Sequence, residues 1–410
     1  MSILLRILFF PFAVLLLTVT TASAQGEIRV DKSCSLADAI AAANTDRERG
    51  GCPAGNGADV IHLAESVTLQ AELPSISSEI TLHGYGNTIS GSGQFRLFNI
   101  EIDGALTINY ATLEDGWSAD DSQLNLIGDG GAILNLGVLK ANHSVFRNNQ
   151  AGEDGGAIRN VGEAHISGST FLGNSADRQA GAIYSADAST AGSAPATLTI
   201  DSSAFLENRS ARHAGAAFIS GEATIYNSSF NNNSAEDSGG AIYSVGQVHI
   251  RRTQFSANTS QKNGGAIFND LNACIFIHES DFSENIAGSG GGGLFSYGGA
   301  RAALSESRLS RNIAEEGGGY KVQGFKQDGV IYDSEFYLHN TWVWENRGGD
   351  CFYGAPTDVL LSGLNALVKH ECGAVPPARN VQNSVSFFPR DSSKNEDHWY
   401  IERLKCPSLR

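Results

Sequence analysis

Along the middle of the chain, apolar and polar residues alternate in short runs inside a frame that returns every 25 to 27 residues, with one step of 34. The frame is clearest from Ser238 to Ser260, SGGAIYSVGQVHIRRTQFSANTS. It opens on Gly-Gly-Ala-Ile, alternates through Val248-His249-Ile250 and closes on Phe255-x-x-Asn258. The opening recurs at Gly130, Gly155, Ala180, Ala214, Gly239, Gly264, Gly291 and Gly317. The close recurs at Phe146/Asn149, Phe171/Asn174, Phe205/Asn208, Phe230/Asn233, Phe255/Asn258, Phe282/Asn285 and Leu309/Asn312. Seven and five residues before each Phe the chain is apolar, as at Leu198/Ile200 and Ile275/Ile277, and the residue between is variable and mostly polar. A period of two places one face in a core and the other in water. Runs this short cannot bury a face alone, so each frame must stack on its neighbours. The pattern predicts an all-β chain in which about three short strands form each turn of a single-stranded parallel β-helix of about ten to twelve coils.

Stacking turns every repeated position into a column. Two residues before each Phe stands a hydroxyl: Ser144, Ser169, Ser203, Ser228, Thr253, Ser280 or Ser307. Equivalent residues of successive coils lie about 4.8 Å apart, so the Asn side chains can bond from coil to coil. Buried amides need partners, and a stack of them supplies its own except at the ends. The row Asn149, Asn174, Asn208, Asn233, Asn258, Asn285 and Asn312 is therefore expected to be a structural ladder and not a binding strip.

The ends read differently. Residues 1–24 carry a charged start, an apolar run from Ile7 to Leu17 and Ala22-Ser23-Ala24, the form of a cleaved export signal. Residues 25–59 are expected to form an N-terminal cap. Within it Ser35 and Asp38 make a capping box, Leu36, Ile40 and Ala43 share one helical face, and Asn44 offers a stop. The β-helix is expected over 60–345, and a C-terminal cap with an extended tail over 346–410. No stretch of the mature chain is long and apolar enough to span a membrane. Six cysteines in an exported chain imply a disulfide framework. Cys34 with Cys52 and Cys351 with Cys372 are close in sequence and would close the two ends; Cys274 and Cys406 remain by elimination.

Forty-seven glycines suit a chain of tight turns. A formal net charge of −16 argues against nucleic acid as a partner. A rigid monomer is expected.

The segment Cys34-Ser-Leu-Ala-Asp-Ala-Ile-Ala-Ala-Ala-Asn44, followed by Ala58-Asp-Val-Ile-His-Leu63 and Ile80 to Ser90, resembles the CSLREA-type N-terminus of exported bacterial right-handed β-helix proteins. The GGAI and F-x-x-N frames are similar to the repeats of the chlamydial polymorphic outer-membrane proteins. Gly349-Asp-Cys351 and Leu364-Asn365 through Cys372-Gly373 resemble the cap that closes such helices. The resemblance spans about residues 27 to 375 and implies a right-handed, pectate-lyase-like fold with a disulfide-closed C-terminal cap. For function it implies adhesion, and a place outside the cytoplasm: extracellular, at the cell surface or in the periplasm. With 410 residues, a membrane barrel of the chain's own is not expected.

Three columns could carry chemistry. Arg159, Tyr184, Phe218, Tyr243, Phe268 and Phe295 follow the GGAI turn and should point outward as a stacked aromatic strip suited to sugar rings, unless a loop or the tail covers them. His165, Asp201, Tyr226, His249, Arg251 and His278 should point outward from the next strand. A glycosidase needs two carboxylates across the scissile bond, and a lyase needs a base and a cation. This column holds a single Asp, so no catalytic residues are assigned. Asp129, Glu153/Asp154, Asp177, Glu236/Asp237 and Glu315/Glu316 precede the GGAI turn and suit calcium. Arg212, His213 and Lys262 break that row, so no cofactor is expected. The sequence thus points to an exported, non-enzymatic surface for adhesion or carbohydrate contact, with Tyr184, Phe218, Tyr243, Phe268, Phe295, His249 and Arg251 as candidate ligand residues. The competing expectation is a polysaccharide lyase or glycoside hydrolase on the same fold.

Overall fold

One frame makes one coil of four short strands. In the coil that holds Asn258 these are Ile242–Ser244, Gln247–Arg251, Gln254–Ser256 and Thr259–Ser260. The fourth strand, only two residues long, was hidden in the sequence because it follows the Asn with almost no apolar signal. The computed structural model describes residues 26–119, 128–187, 195–327, 330–332, 334–354, 357–362 and 372–373. Each strand pairs in parallel with its equivalent in the next coil, giving four sheets. Sheet I, which includes Gln247–Arg251, has 13 strands; sheet II, with the Phe strands, has 11; sheet III, with Thr259–Ser260, has 7; sheet IV, with the GGAI strands, has 11. The chain is a parallel β-solenoid. No described helix is long and apolar enough to cross a membrane.

The interior columns are as regular as the sequence frame. Phe146, Phe171, Phe205, Phe230, Phe255 and Phe282 stack ring on ring at 4.5–5.0 Å, within 11° of parallel. Beside them runs the ladder Asn149, Asn174, Asn208, Asn233, Asn258, Asn285 and Asn312, every member buried. From Asn174 onward each Oδ1 accepts from the backbone N–H and the Nδ2 of the preceding coil's Asn, as in Asn233 to Asn258 at 3.1 and 2.9 Å. Each Nδ2 also donates to a carbonyl one coil back, as Asn258 does to Phe230 at 2.9 Å.

The 34-residue step does not disturb this row. It falls between Asn174 and Asn208, where the backbone N–H and Nδ2 of Asn174 still reach the Asn208 Oδ1 at 3.1 and 2.9 Å. Asn208 in turn donates to the Phe171 carbonyl at 3.1 Å. The added residues fall in the sequence between the strands Ile183–Ser185 and Thr197–Asp201, away from the Asn, and the rung spacing there is unchanged.

The ladder begins at the Gly116 N–H, which donates to Asn149. It runs one rung further than the frame indicated, past Asn312 to Asn346, and ends on the Asp350 carboxylate, 2.9 Å from the Asn346 Nδ2. A carboxylate only accepts, so it terminates a row of donors without leaving a proton unpaired. The serine hydroxyls form a second ladder, each accepting a backbone N–H of the previous coil, as Ser169 does from Ser144 at 3.1 Å.

The two glycines of the GGAI turn do different work. The first has positive φ, and Ala180 and Ala214 take that conformation in their coils at φ 61° and 62°. The second lies against the next coil: a Cβ on Gly240 would sit 2.0 Å from the Gly265 carbonyl oxygen. Only glycine fits there.

At the N-terminus Gly26–Val30 pairs with Asp59–Leu63 as the first rung of sheet I, so strands begin inside the stretch expected to be a cap. Between these strands lies helix α1, Leu36–Thr45, whose N-cap Ser35 accepts from the Asp38 N–H. Cys34 is disulfide-bonded to Cys52 across its base. Asn44 is not the stop. The helix ends at Asp46 in the left-handed conformation, and Asn44 instead donates to the Ser75 carbonyl and accepts from the Ser77 N–H.

At the other end the frame looks lost after Tyr320 but is intact. Tyr320–Gln323 joins sheet IV, Ser334–His339 sheet I and Trp342–Trp344 sheet II. An antiparallel hairpin, Phe325–Gln327 with Val330–Tyr332, is inserted between them and upsets the count. Sheet I continues to Thr357–Ser362. In sheet IV, Cys351 faces Cys372 across a parallel pair. The leader expected over 1–24, most of the Asp- and Ser-rich loop after Trp117 and the tail from 374 lie outside the described residues.

Three substitutions separate the ladders from the turns. Asn258→Ala should destabilise by about 3 kcal/mol in urea unfolding, because it strands the Asn233 amide and the Phe230 carbonyl. Gly239→Ala should cost only about 1 kcal/mol. Gly240→Ala should cost more than about 4 kcal/mol or prevent folding.

Candidate functional site

The Asn row offers nothing to a ligand. Asn174 is 1 % and Asn208 0 % exposed, and their amides, like those of Asn149, Asn233, Asn258, Asn285 and Asn312, are bonded to neighbouring coils. These residues hold the scaffold and take no part in a surface site.

The aromatic strip is in place but is not an open platform. Tyr184 stacks on Phe218 at 4.6 Å and Phe218 on Tyr243 at 5.2 Å, and the column continues through Phe268 to Phe295. Arg159 closes one end, with its guanidinium carbon 4.3 Å from the Tyr184 ring centre. Lys321 closes the other, 4.9 Å from Phe295. Tyr184 is half-buried and the other four rings are 3–8 % exposed. Tyr184, Phe218 and Tyr243 turn their faces to one another within 9°, while Phe268 tilts by 46° and meets Phe295 edge-on at 82°; with four of the five rings almost covered, the column is not an open stacking surface.

The acidic turns are likewise engaged. Asp129 pairs with Arg159 at 3.1 Å, both buried; Asp154 with Arg178 at 2.5 Å; Asp237 with Lys262 at 2.6 Å; and Glu316 with Lys321 at 2.6 Å. Burial pushes the Asp129 carboxyl above its usual range, and the Arg159 guanidinium opposes that shift. These carboxylates neutralise cations from their own or the next coil and do not converge on a common point.

The outward face of sheet I is different. His249 and Arg251 project from Gln247–Arg251, with Thr224 and Tyr226 on the rung before and Phe276 and His278 on the rung after. His249 stacks on Phe276 at 4.8 Å. The next rung places Ala303 opposite Phe276, and only the following one restores a ring, Tyr337. The second face of Phe276 therefore looks onto a methyl group. A groove of about 360 Å³ lies here, lined by Tyr226, His249, Arg251, Phe276, His278 and Ser305 among others. His278 Nδ1 bonds Ser305 Oγ at 2.9 Å. Glu279 accepts from Arg252 at 2.9 Å and lies 3.5 Å from Arg251. The bond from Arg252 holds the Glu279 carboxyl below its ordinary range, and the nearby His278 adds to this.

His278, Glu279 and Glu306 bring ligand atoms within 4.8 Å of one another. Two arginines already occupy Glu279, so this group is not offered as a metal centre. Nearer the N-terminus, the same face carries His62, His83 and Tyr85, stacked at 5.7–5.9 Å, with Tyr85 64 % exposed.

Sequence reasoning placed His249 and Arg251 correctly on an outward face but missed Phe276. That residue reads as one of several interchangeable residues between two apolar ones. The signal that could have found it is the break in its column, Phe followed by Ala, in a chain whose other aromatic columns repeat.

A parallel β-solenoid with internal amide ladders is the class this geometry defines. The chain carries the Chlamydia polymorphic membrane protein repeat, matched at residues 143–160, 168–186, 227–245 and 252–270. Neither the curated proteins nor the solved structures searched gave a match. The four matched stretches have a common structural content. Each begins at the corner after a sheet I strand and runs through sheets II, III and IV, so the sheet I strands fall outside every one.

His213 marks the edge of the buried column, 4.5 Å from Tyr243, with its Nδ1 buried and unpartnered. Burial holds its pKa below the ordinary value, against the pull of Asp237. The unfolded imidazole takes a proton near pH 6.5 and the folded one only at lower pH, so stability is lost as pH falls below about 6.5. Thermal melts between pH 7 and 5 should show a steeper loss in the native chain than in His213→Phe.

Proposed function

We propose that this chain is an exported, right-handed parallel β-helix rod that holds carbohydrate on the outward face of sheet I and serves in surface contact, as an adhesin does, without cleaving its ligand. The observation that carries this reading is the open face of Phe276 above Ala303, beside Tyr226, Arg251, His278 and Ser305. The apolar C–H face of a sugar ring stacks on an aromatic face, and its hydroxyls take bonds from side chains at the rim. The recess supplies one such face with donors and acceptors around it. Handedness follows from the connections: parallel crossovers are right-handed in about 98 % of cases. Export is supported by the leader-like residues 1–24, by the disulfide, which suits an oxidising compartment, and by the repeats of a membrane-protein family. At the far end Cys351 and Cys372 stand opposite each other on adjacent rungs of sheet IV, which supports a closing cap there.

The competing reading, a polysaccharide lyase or glycoside hydrolase, would have to draw its acid or base from His278, Glu279 and Glu306. Glu279 is fixed as a carboxylate by Arg252 and Arg251, which unfits it as a proton donor near neutral pH.

Binding measured on a panel of neutral and uronate oligosaccharides should reveal weak ligands with no new reducing ends or unsaturated products. Phe276→Ala should weaken the best of them about tenfold or more, equal to about 1.4 kcal/mol. Ala303→Leu, which fills the recess and leaves every ladder intact, should do the same. Unchanged binding in both variants would remove the groove as the site. Product formation abolished by His278→Ala would establish the enzymatic reading instead.

A further inference from the structure

The outward column of sheet III opens on a tryptophan and continues in polar residues: Trp117, Gln150, Ser175, Arg209, Ser234 and Thr259. Trp117–Ser118 is the first strand of that sheet, so the indole has one neighbour in its column, an amide. No described ring stacks on it, and Trp117 is 36 % exposed. Later coils hold Gln or Ser at this position, so the fold itself does not call for an indole here.

Trp117 borders a shallow recess of about 440 Å³ at the corner between sheets II and III, shared with Ser92, Gly93, Asp115, Asn148 and Gln150. One wall is the tight turn Gly91–Gln94, in which the Gln94 N–H donates to the Gly91 carbonyl at 3.0 Å. Both central residues have positive φ, as a type I′ turn requires. Asp115 and Asn148 hold the corner in the next two coils, both in the left-handed conformation. One coil further the corner is Gly173, where a Cβ would stand 2.9 Å from the Asn148 Oδ1. The Asn148 amide therefore lies against bare backbone.

A chain that pairs its charges from coil to coil leaves this group unused. The Asp115 carboxylate and the amides of Asn148 and Gln150 bond no other described residue. Arg147, the cation nearby, gives its bonds to Glu114 instead.

We propose that this recess is a second ligand site and that it takes a neutral sugar residue. The indole offers its face to the C–H face of the sugar ring. Asn148 and Gln150 both donate and accept, which suits hydroxyls. Asp115 only accepts, so it takes a hydroxyl proton and repels a carboxylate. A single ring beside a single acid is no aromatic cage, which sets a quaternary ammonium ligand aside. The site shares no residue with the sheet I groove. The sheet I strand of its own coil, Ala105–Asn109, lies six rungs before Cys274–His278, roughly 29 Å along the rod at about 4.8 Å per rung.

Calorimetric titration of the full-length Phe276→Ala protein, in which the sheet I groove is disabled, tests the proposal. The probes are cellohexaose, xylohexaose, mannohexaose and maltohexaose, set against hexagalacturonate. At least one neutral chain should bind, and the uronate chain should bind at least tenfold more weakly. Adding Trp117→Ala should weaken the best neutral ligand tenfold or more. Adding Asp115→Asn, whose side chain keeps its shape and tolerates the left-handed corner, should weaken it several-fold. Both side chains point outward without partners, so thermal melts of the variants should match their parent. In the unaltered chain the ligand should also shift the Trp117 emission, read as the difference from Trp117→Phe. Neutral binding that survives Phe276→Ala and falls with Trp117→Ala supports this site whatever becomes of the sheet I groove. The absence of any neutral ligand, undiminished affinity in the Trp117 and Asp115 variants, or a preference for the uronate chain overturns the proposal.

Discussion

Everything in this molecule follows from a rung spacing of about 4.8 Å and from the need to satisfy a buried amide at each rung. Asn258 shows the bond economy: one side chain gives two hydrogen bonds, to Phe230 and Asn285, and accepts two from Asn233. Remove any member and two neighbours lose partners at once. The row also has a direction, with donors in earlier coils and acceptors in later ones, so it needs an acceptor at its far end. Asp350 Oδ1 supplies it, buried and taking bonds from the Asn346 backbone N–H and Nδ2. The ladder therefore sets coil spacing, coil register and the chemistry of the coil where it stops.

The same spacing decides which surfaces can act. Aromatic rings prefer separations close to one rung, so rings repeated in a column pack on their own copies. The interior Phe column stacks face to face throughout, and the outward sheet IV column does so from Tyr184 to Tyr243 before it tilts at Phe268 and meets Phe295 edge-on, so repetition leaves neither column open to a ligand ring. Open faces arise only where repetition fails. On sheet I the column Thr224, His249, Phe276, Ala303, Tyr337 changes at every rung, and the step from Phe276 to Ala303 leaves one face uncovered. Charge obeys a parallel rule. Asp154 with Arg178 and Asp237 with Lys262 are bridges between neighbouring coils, so a row of carboxylates that looks like a cation site in one dimension is a set of paired charges in three.

The fold was legible because its determinants are periodic. Phe, Asn, hydroxyl and second-glycine positions recur at fixed offsets, and all are interior or sterically confined. Even the long step from Asn174 to Asn208 kept its meaning, because both residues stand three after a Phe and the extra chain lies elsewhere in the coil. What escaped was whatever broke the count or depended on neighbours from elsewhere. The hairpin between Gln323 and Ser334 made an intact coil look like decay. Helix α1 separated Gly26–Val30 from the rung it pairs with, so the first strand read as part of a cap. The aromatic strip was assigned the right direction with its exposure left open, because a period reports which way a side chain points and not what lies over it. Phe276 was passed over because its meaning rests on the alanine one coil later.

The repeat matches sharpen this division of labour. They cover the F-x-x-N corner, the short sheet III strand and the GGAI turn, which are the parts that hold the ladders and the glycine that must clear the next carbonyl. They omit sheet I, whose inward residues need only be apolar and whose outward residues touch neither ladder. A coil built this way places its structural demands on three sides and leaves the fourth chemically unconstrained. Recognition can then differ along sheet I, rung by rung, with no effect on coil spacing. That the groove, the His62–His83–Tyr85 stack and the break at Ala303 all fall on this one face is the expected consequence.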